Sequence, residues 1–350
     1  MQQSTQNIIS VFSFKRVIIP IGIGIAFSVY SLYASKFDIS VLKGIEVSLK
    51  YILLALVCML MRDLMYIIRI RLLTEKQLSW TDSWHVVMLW EFASSVTPAV
   101  VGGSAFAIYF LYQERLSVGK STAIILTTVM LDEIFYILAV ALLLFIVGTN
   151  LVPFGSALPF NPMLFFFLGY VIIIAMTTGI TLGIFVAPKE IKILLLKIFS
   201  FSIFKKWKNK MEKVGDELIL ASVELKGKPF GYWAKAFTAT ALTWIARFMV
   251  LNFIILAFNP ELGFKMMQQM LFFAKQLVMW VILLISPTPG ASGIAEISFS
   301  AFFMNDFPEC THAAVAVLWR AISYYPYLAL GLIILPVWLR KLQKKYSLFL

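Results

Sequence analysis

The chain has 350 residues, 61% of them hydrophobic and 14% charged, with a mean hydropathy of +0.88. A soluble domain of that composition would carry a largely apolar surface, so the soluble classes are excluded and a polytopic helical membrane protein is expected. The net charge of +12 lies beside the apolar runs, as on the cytoplasmic side of membranes, so nucleic acid is not an expected partner.

Taken in order, the apolar runs long enough to cross a bilayer are 17–34, 47–68, 120–148, 163–187, 234–258 and 312–338. The first follows Lys15-Arg16 and lacks a small-x-small cleavage site, so it reads as an uncleaved span. Between the spans lie two interrupted segments, 84–113 and 265–304. Charge orients the whole. Lys15 and Arg16 put the N-terminus inside, and Arg69, Arg71 and Lys76 mark the next loop as cytoplasmic. The 149–162 loop has no charge and suits the outside. The 188–233 connector carries ten lysines against five acidic residues and belongs inside, as does the basic tail from Arg340 to Lys345. Lysines alternate with apolar residues around Ile191 to Lys197, which fits an interfacial helix on anionic lipid or a solvated connector.

The interruptions share a pattern. Ser95 to Gly102 and Ser286 to Gly293 both read S-x-T-P-x-x-x-G. Proline cannot continue a helix, because it lacks an N–H and clashes one turn back. Such breaks strand backbone groups at membrane depth, where they are tolerated only inside protein or beside a wet cavity. Paired breaks in two halves are the sequence mark of a transporter site. The loop signs make 84–113 a re-entrant hairpin from the cytoplasmic side, and parity brings 265–304 in from the other face. The expected fold is therefore all-α and polytopic. It has about six full spans plus two re-entrant broken-helix hairpins in an inverted repeat, all in a single membrane domain, 1–350.

The hairpins nominate the site. Half-helices starting at Gly103-Ser104 and at Ser292-Gly293 are expected to aim free N–H groups inward, which favours anions, with Gly102 and Gly290 beside them counted in the site. Thr97, Ser286 and Thr288 supply hydroxyls. Arg247, Lys275 and Arg320 supply cations, arginine being suited to bidentate phosphate contact. Glu296 and the pair Asp132-Glu133 are intramembrane carboxylates, and Glu91 precedes the first break by one and a half turns. Arg62 and Asp63 read as a structural pair. Two cysteines, Cys58 and Cys310, and two distant histidines, His85 and His312, make neither a disulfide framework nor a metal site. No P-loop, G-x-S-x-G or H-E-x-x-H stands in the chain, so neither cofactor nor catalysis is expected.

The stretch Thr97 to Gly103 (T-P-x-x-x-G-G), the stretch Pro287 to Glu296 (P-T-P-G-x-x-G-x-x-E), and Arg320 followed by Tyr324-Tyr325-Pro326 resemble the flippase-like family of the lysylphosphatidylglycerol synthase membrane domain. The resemblance covers nearly the whole chain but includes no aminoacyl-transferase domain. It implies a lipid translocase that moves an anionic or aminoacylated phospholipid, or a lipid-linked head group, between leaflets of a bacterial inner membrane. The expected partners are membrane lipids, with homo-oligomerisation open. Two other readings stay open: an integral-membrane transferase using Asp132-Glu133, and a non-catalytic partner of a separate synthase.

Overall fold

The computed structural model describes residues 47–148 except 98, 162–200, and 208–347 except 285, 287, 304, 305 and 308–310, together with seven helical positions between 22 and 33. The expected first span therefore lies mostly outside the described residues, and the 149–162 loop does so up to residue 161. Every regular element described is a helix. In chain order these are α1 (Leu49–Leu73), α2 (Trp80–Val96), α3 (Ala99–Gln113), α4 (Val118–Val147) and α5 (Pro162–Thr181, extended by a π-turn, Leu182–Val186). They continue with α6 (Pro188–Ile198), α7 (Lys208–Lys226), α8 (Phe230–Phe258), α9 (Met266–Leu284), α10 (Ile294–Phe303), α11 (His312–Ser323) and α12 (Tyr325–Ser347).

Six stretches among the described residues are long and apolar enough to span a membrane: α1, α4, α5 with its π-turn, α8, α9, and α11 with α12. The protein is an all-α polytopic membrane protein. Two of the expected spans change shape. The second runs five residues further than the charge pattern implied, to Leu73, because Arg69 is a fully buried helix residue and not part of a loop. The last breaks at Tyr324 (φ −132°, ψ −57°), two residues before Pro326, which has no N–H to continue the ladder of α11 and whose ring would clash one turn back; Pro326 sits in the first turn of α12 instead.

The centre is the antiparallel pair α1 and α8. The Ser48 N–H donates to the Ala257 carbonyl at one end (2.8 Å), and Arg69 Nη1 donates to Thr240 Oγ1 towards the other (2.9 Å). Two helical hairpins are built on this pair. α2 starts at an N-cap, Ser79, whose hydroxyl accepts from the Asp82 N–H (3.1 Å). It ends at Thr97, whose extended backbone (φ −107°, ψ 145°) is what a following proline requires. α3 then returns against it. Asp82 of α2 pairs with Lys341, and Glu114 after α3 accepts from Trp338 Nε1 (2.8 Å). The two free ends of this hairpin thus sit together beside the C-terminal part of α12. The second hairpin, α9 and α10, has its base beside the end of α8: Asn252 Nδ2 donates to the Gln269 carbonyl, and Asn259 Nδ2 to that of Asp306. The hairpins therefore come in from opposite ends of α8.

The arms differ in length. α2 has 17 residues, about 25 Å at ~1.5 Å each, against a hydrocarbon core of about 30 Å. α9 has 19 and is apolar enough to cross. Close packing holds the first hairpin shut: a Cβ on Gly103 would come within 2.0 Å of Ser94 Oγ. Small residues let membrane helices approach in this way.

The described parts of the basic connector form the helices α6 and α7, and α7 is docked. Leu218, Ala221 and Leu225 of α7 pack with Ala123 of α4 and Ile184. Lys120 and Lys228 bridge Glu75 and Glu224 around them (Lys228 to Glu75, 2.6 Å; Lys120 to Glu224, 3.2 Å).

Candidate functional site

The tips of both hairpins open on one cavity of about 260 Å³. From the first hairpin come Glu91, Ser94, Ser95, Thr97 and Ser104; from the second come Ser286, Thr288, Gly290 and Ala291. The walls are Val129 to Tyr136 of α4, Trp244 to Phe248 of α8 and Ile173 of α5. Each lies in the middle third of its long apolar helix. The cavity therefore sits at mid-height of the helices built to cross a bilayer.

The breaks need their local chemistry. At the end of α2, the Ser95 and Thr97 hydroxyls donate back to the carbonyls of Glu91 (2.8 Å) and Ala93 (2.7 Å), so each hydroxyl is satisfied one turn back on its own chain. In the second break, Gly290 has φ +56° and faces Tyr324 so closely that a Cβ would lie 2.3 Å from the ring. Only glycine meets both demands at low cost. Arg320 Nη2 donates to the Gly290 carbonyl (3.0 Å), and the Arg320 guanidinium lies 3.7 Å over the Tyr324 ring. The Tyr324 hydroxyl in turn donates to the Ser95 carbonyl (3.0 Å). One side chain thus touches both breaks, and it comes from the residue that kinks the last span.

The ionisable groups fall into two sets. Three of those lining the cavity are held by ion pairs. Glu91 is bound by Arg62 (2.5 Å), which also holds Asp63 (2.9 Å). Asp132 takes Arg69 (2.5 Å) and Trp244 Nε1 (2.7 Å). Arg320 is paired with Glu296 (3.2 Å). Arg62 and Arg69 are fully buried, and pairing is what makes such a charge tolerable in an apolar interior. The other set is Arg247 and Glu133. Arg247 lies over the rings of Trp280 (4.8 Å) and Trp244 (5.5 Å) and meets no carboxylate within ion-pair distance among the described residues. Glu133 accepts from Thr177 Oγ1 (2.7 Å) and meets no cation among them.

Of the residues nominated from the sequence, Thr97, Asp132, Glu133, Arg247, Ser286, Thr288, Gly290 and Arg320 come together around this space. The others do not line it. Glu296 is buried one turn into α10, where its carboxylate accepts from the Gly293 N–H (2.7 Å) and so caps the helix that follows. Gly293 serves that cap with φ +85°. Lys275 pairs with Asp306 (2.5 Å) near the base of the second hairpin. Gly102 and Gly103 lie inside α3, which starts at Ala99, so no half-helix begins at them. Gly103 is the contact point of the two arms instead.

Sequence reasoning missed the aromatic wall of Tyr66, Trp90, Trp244 and Trp280, and the buried Arg69 that pairs with the lining Asp132. For Arg69 the available signal was Asp132, a carboxylate that needed a cation at its own depth. The rings carried no signal in a chain with 15% aromatics.

The family model described as the lysylphosphatidylglycerol synthase TM region matches residues 17–331, which takes in both hairpins and every cavity wall. A UPF0104 membrane protein of Archaeoglobus fulgidus is 24% identical over 275 residues, covering 77% of this chain and 81% of that one.

Proposed function

The chain belongs to the family of the lysylphosphatidylglycerol synthase transmembrane region, and from that premise we propose that it is a lipid translocase of flippase or scramblase type. It would act in the plasma membrane, with both termini cytoplasmic. The observation that carries the reading is Arg247: a guanidinium with no carboxylate within ion-pair distance among the described residues, in a cavity at mid-span between two helix breaks. A desolvated guanidinium is stabilised by an anion, and its planar fork suits phosphate. The head group enters the cavity while the acyl chains stay in lipid. The cavity is smaller than the roughly 300–1,000 Å³ of sites for drug-sized ligands, which suits a head group alone.

In this reading α2–α3 and α9–α10 are re-entrant hairpins entering from opposite leaflets. Rocking the two halves about the shared cavity exposes it to one side and then the other. The Tyr324 bridge from Gly290 to Ser95 is the contact such a motion has to break on one side.

The test is a leaflet-resolved lipid assay in proteoliposomes. Arg247→Gln is expected to slow transport at least tenfold while leaving the unfolding temperature of the purified protein within about 2 °C of the parent, since the group faces a cavity and breaks no ion pair. Unchanged transport in that variant, or none by the parent protein, defeats the reading.

A further inference from the structure

The cavity has a second pole that a purely anionic cargo leaves unused. Of its five lining groups of Asp, Glu or Arg type, Glu91, Asp132 and Arg320 are in direct ion pairs with Arg62, Arg69 and Glu296, Glu91 also drawing on Arg247 at longer range. That leaves Arg247 and Glu133 as the two without a direct ion-pair contact among the described residues. Glu133 is held by a single hydroxyl, that of Thr177, and faces no cation among the described residues. An uncompensated carboxylate at membrane depth is costly unless a function requires it. Tyr136 lies one turn further along α4, lines the same cavity, and is fixed by its own hydrogen bond to the Leu277 carbonyl (2.8 Å). A carboxylate beside an aromatic ring is what a protonated amine takes, through charge and cation–π attraction together.

The geometry points to a zwitterionic head group, one phosphate and one protonated amine on a single lipid, as the cargo of this cavity. This deepens the translocase reading and rests on it. Arg247 takes the phosphate and Glu133 the amine. Binding such a head group gives both groups a direct contact of opposite charge at once. A head group with a phosphate and only hydroxyls satisfies Arg247 but leaves Glu133 without a counter-ion and meets its like charge. Glu133 therefore discriminates by repulsion as well as by attraction.

The experiment uses the full chain in proteoliposomes with two reporter lipids of identical acyl chains, one with a phosphoethanolamine head group and one with a phosphoglycerol head group. The parent protein is expected to move the ethanolamine lipid at least tenfold faster. Glu133→Gln keeps the shape of the side chain and is expected to bring the ethanolamine rate down to the glycerol rate without slowing the latter. Arg247→Gln is expected to slow both. If Arg247→Gln slows both lipids but Glu133→Gln leaves their ratio unchanged, or if the parent moves the two equally, the zwitterion assignment is overturned and the translocase reading stands. If the parent moves neither lipid, the translocase reading fails. Head-group preference is then read from the shift in unfolding temperature on adding each lipid to detergent-solubilised protein. A larger shift with the ethanolamine lipid, lost in Glu133→Gln, upholds the assignment, and equal shifts overturn it.

Discussion

The Arg69 guanidinium has no access to solvent, and its charge is carried by Asp132, a residue 63 positions later in the chain. Removing one partner of such a pair strands the other in an apolar interior, which costs about 3–5 kcal/mol, whereas replacing both by apolar groups costs far less. Arg69→Met is therefore expected to cost the protein that much in denaturant unfolding, and Arg69→Met with Asp132→Leu is expected to recover at least half of it. The same logic separates Glu296 from the cavity groups. Glu296→Ala removes the cap on Gly293 and strands Arg320, so it is expected to lower stability by about 3 kcal/mol or more. Its effect on transport then reports folding. Glu296→Gln retains an acceptor for the Gly293 N–H and is expected to restore part of the lost stability in thermal unfolding.

Among the elements, the hairpins depend on places where a Cβ has no room. Gly290→Ala drives a methyl group into the Tyr324 ring at a backbone angle that L-residues disfavour, so a loss of about 1–3 kcal/mol is expected in thermal unfolding. Pairing it with Tyr324→Ala, which vacates that space, is expected to cost less than the sum of the two single changes. The connector is held differently, by exposed charges. Hydrogen bonding by Glu224 first, and by Lys228 after it, holds the Glu75 carboxyl below its usual value of 4.5. A carboxyl lowered on folding contributes stability above its unfolded value and loses it as pH falls through the folded one. Between pH 6 and pH 3 the unfolding temperature is expected to fall, and to fall less in Glu75→Gln.

For the whole molecule, the proposed re-entrant entry of the two hairpins, whose bases lie at opposite ends of α8, would put their flanks on opposite sides of the membrane. Single cysteines placed at Lys76 and Arg115, beside the first hairpin, are expected to react with an impermeant thiol reagent from the cytoplasmic side only. A cysteine at Gly263, before the second, is expected to react from the other side only. Labelling of all three from one side would remove the opposed arrangement and, with it, the alternating access drawn from it.

Local chain chemistry was enough to read the membrane class, the positions of both breaks and many of the polar residues around the cavity. Apolar runs, prolines and charges inside apolar runs each act over a few residues and need no partner to be recognised. The breaks at Thr97 and at Ser286 to Gly293 follow from proline geometry alone, and Arg247, Glu133 and Asp132 stand out as charges in greasy sequence. Which of those charges is free was decided only by tertiary structure. Arg69 looked like a loop cation because Arg71 and Lys76 follow it, and Glu296 looked like a binding group because it sits after a break. Both are claimed by packing, Arg69 by Asp132 from another helix and Glu296 by Gly293 and Arg320. A counter-ion is chosen by proximity in space, between residues that are here tens of positions apart in the chain, so an account of unpaired charge requires the folded arrangement of helices.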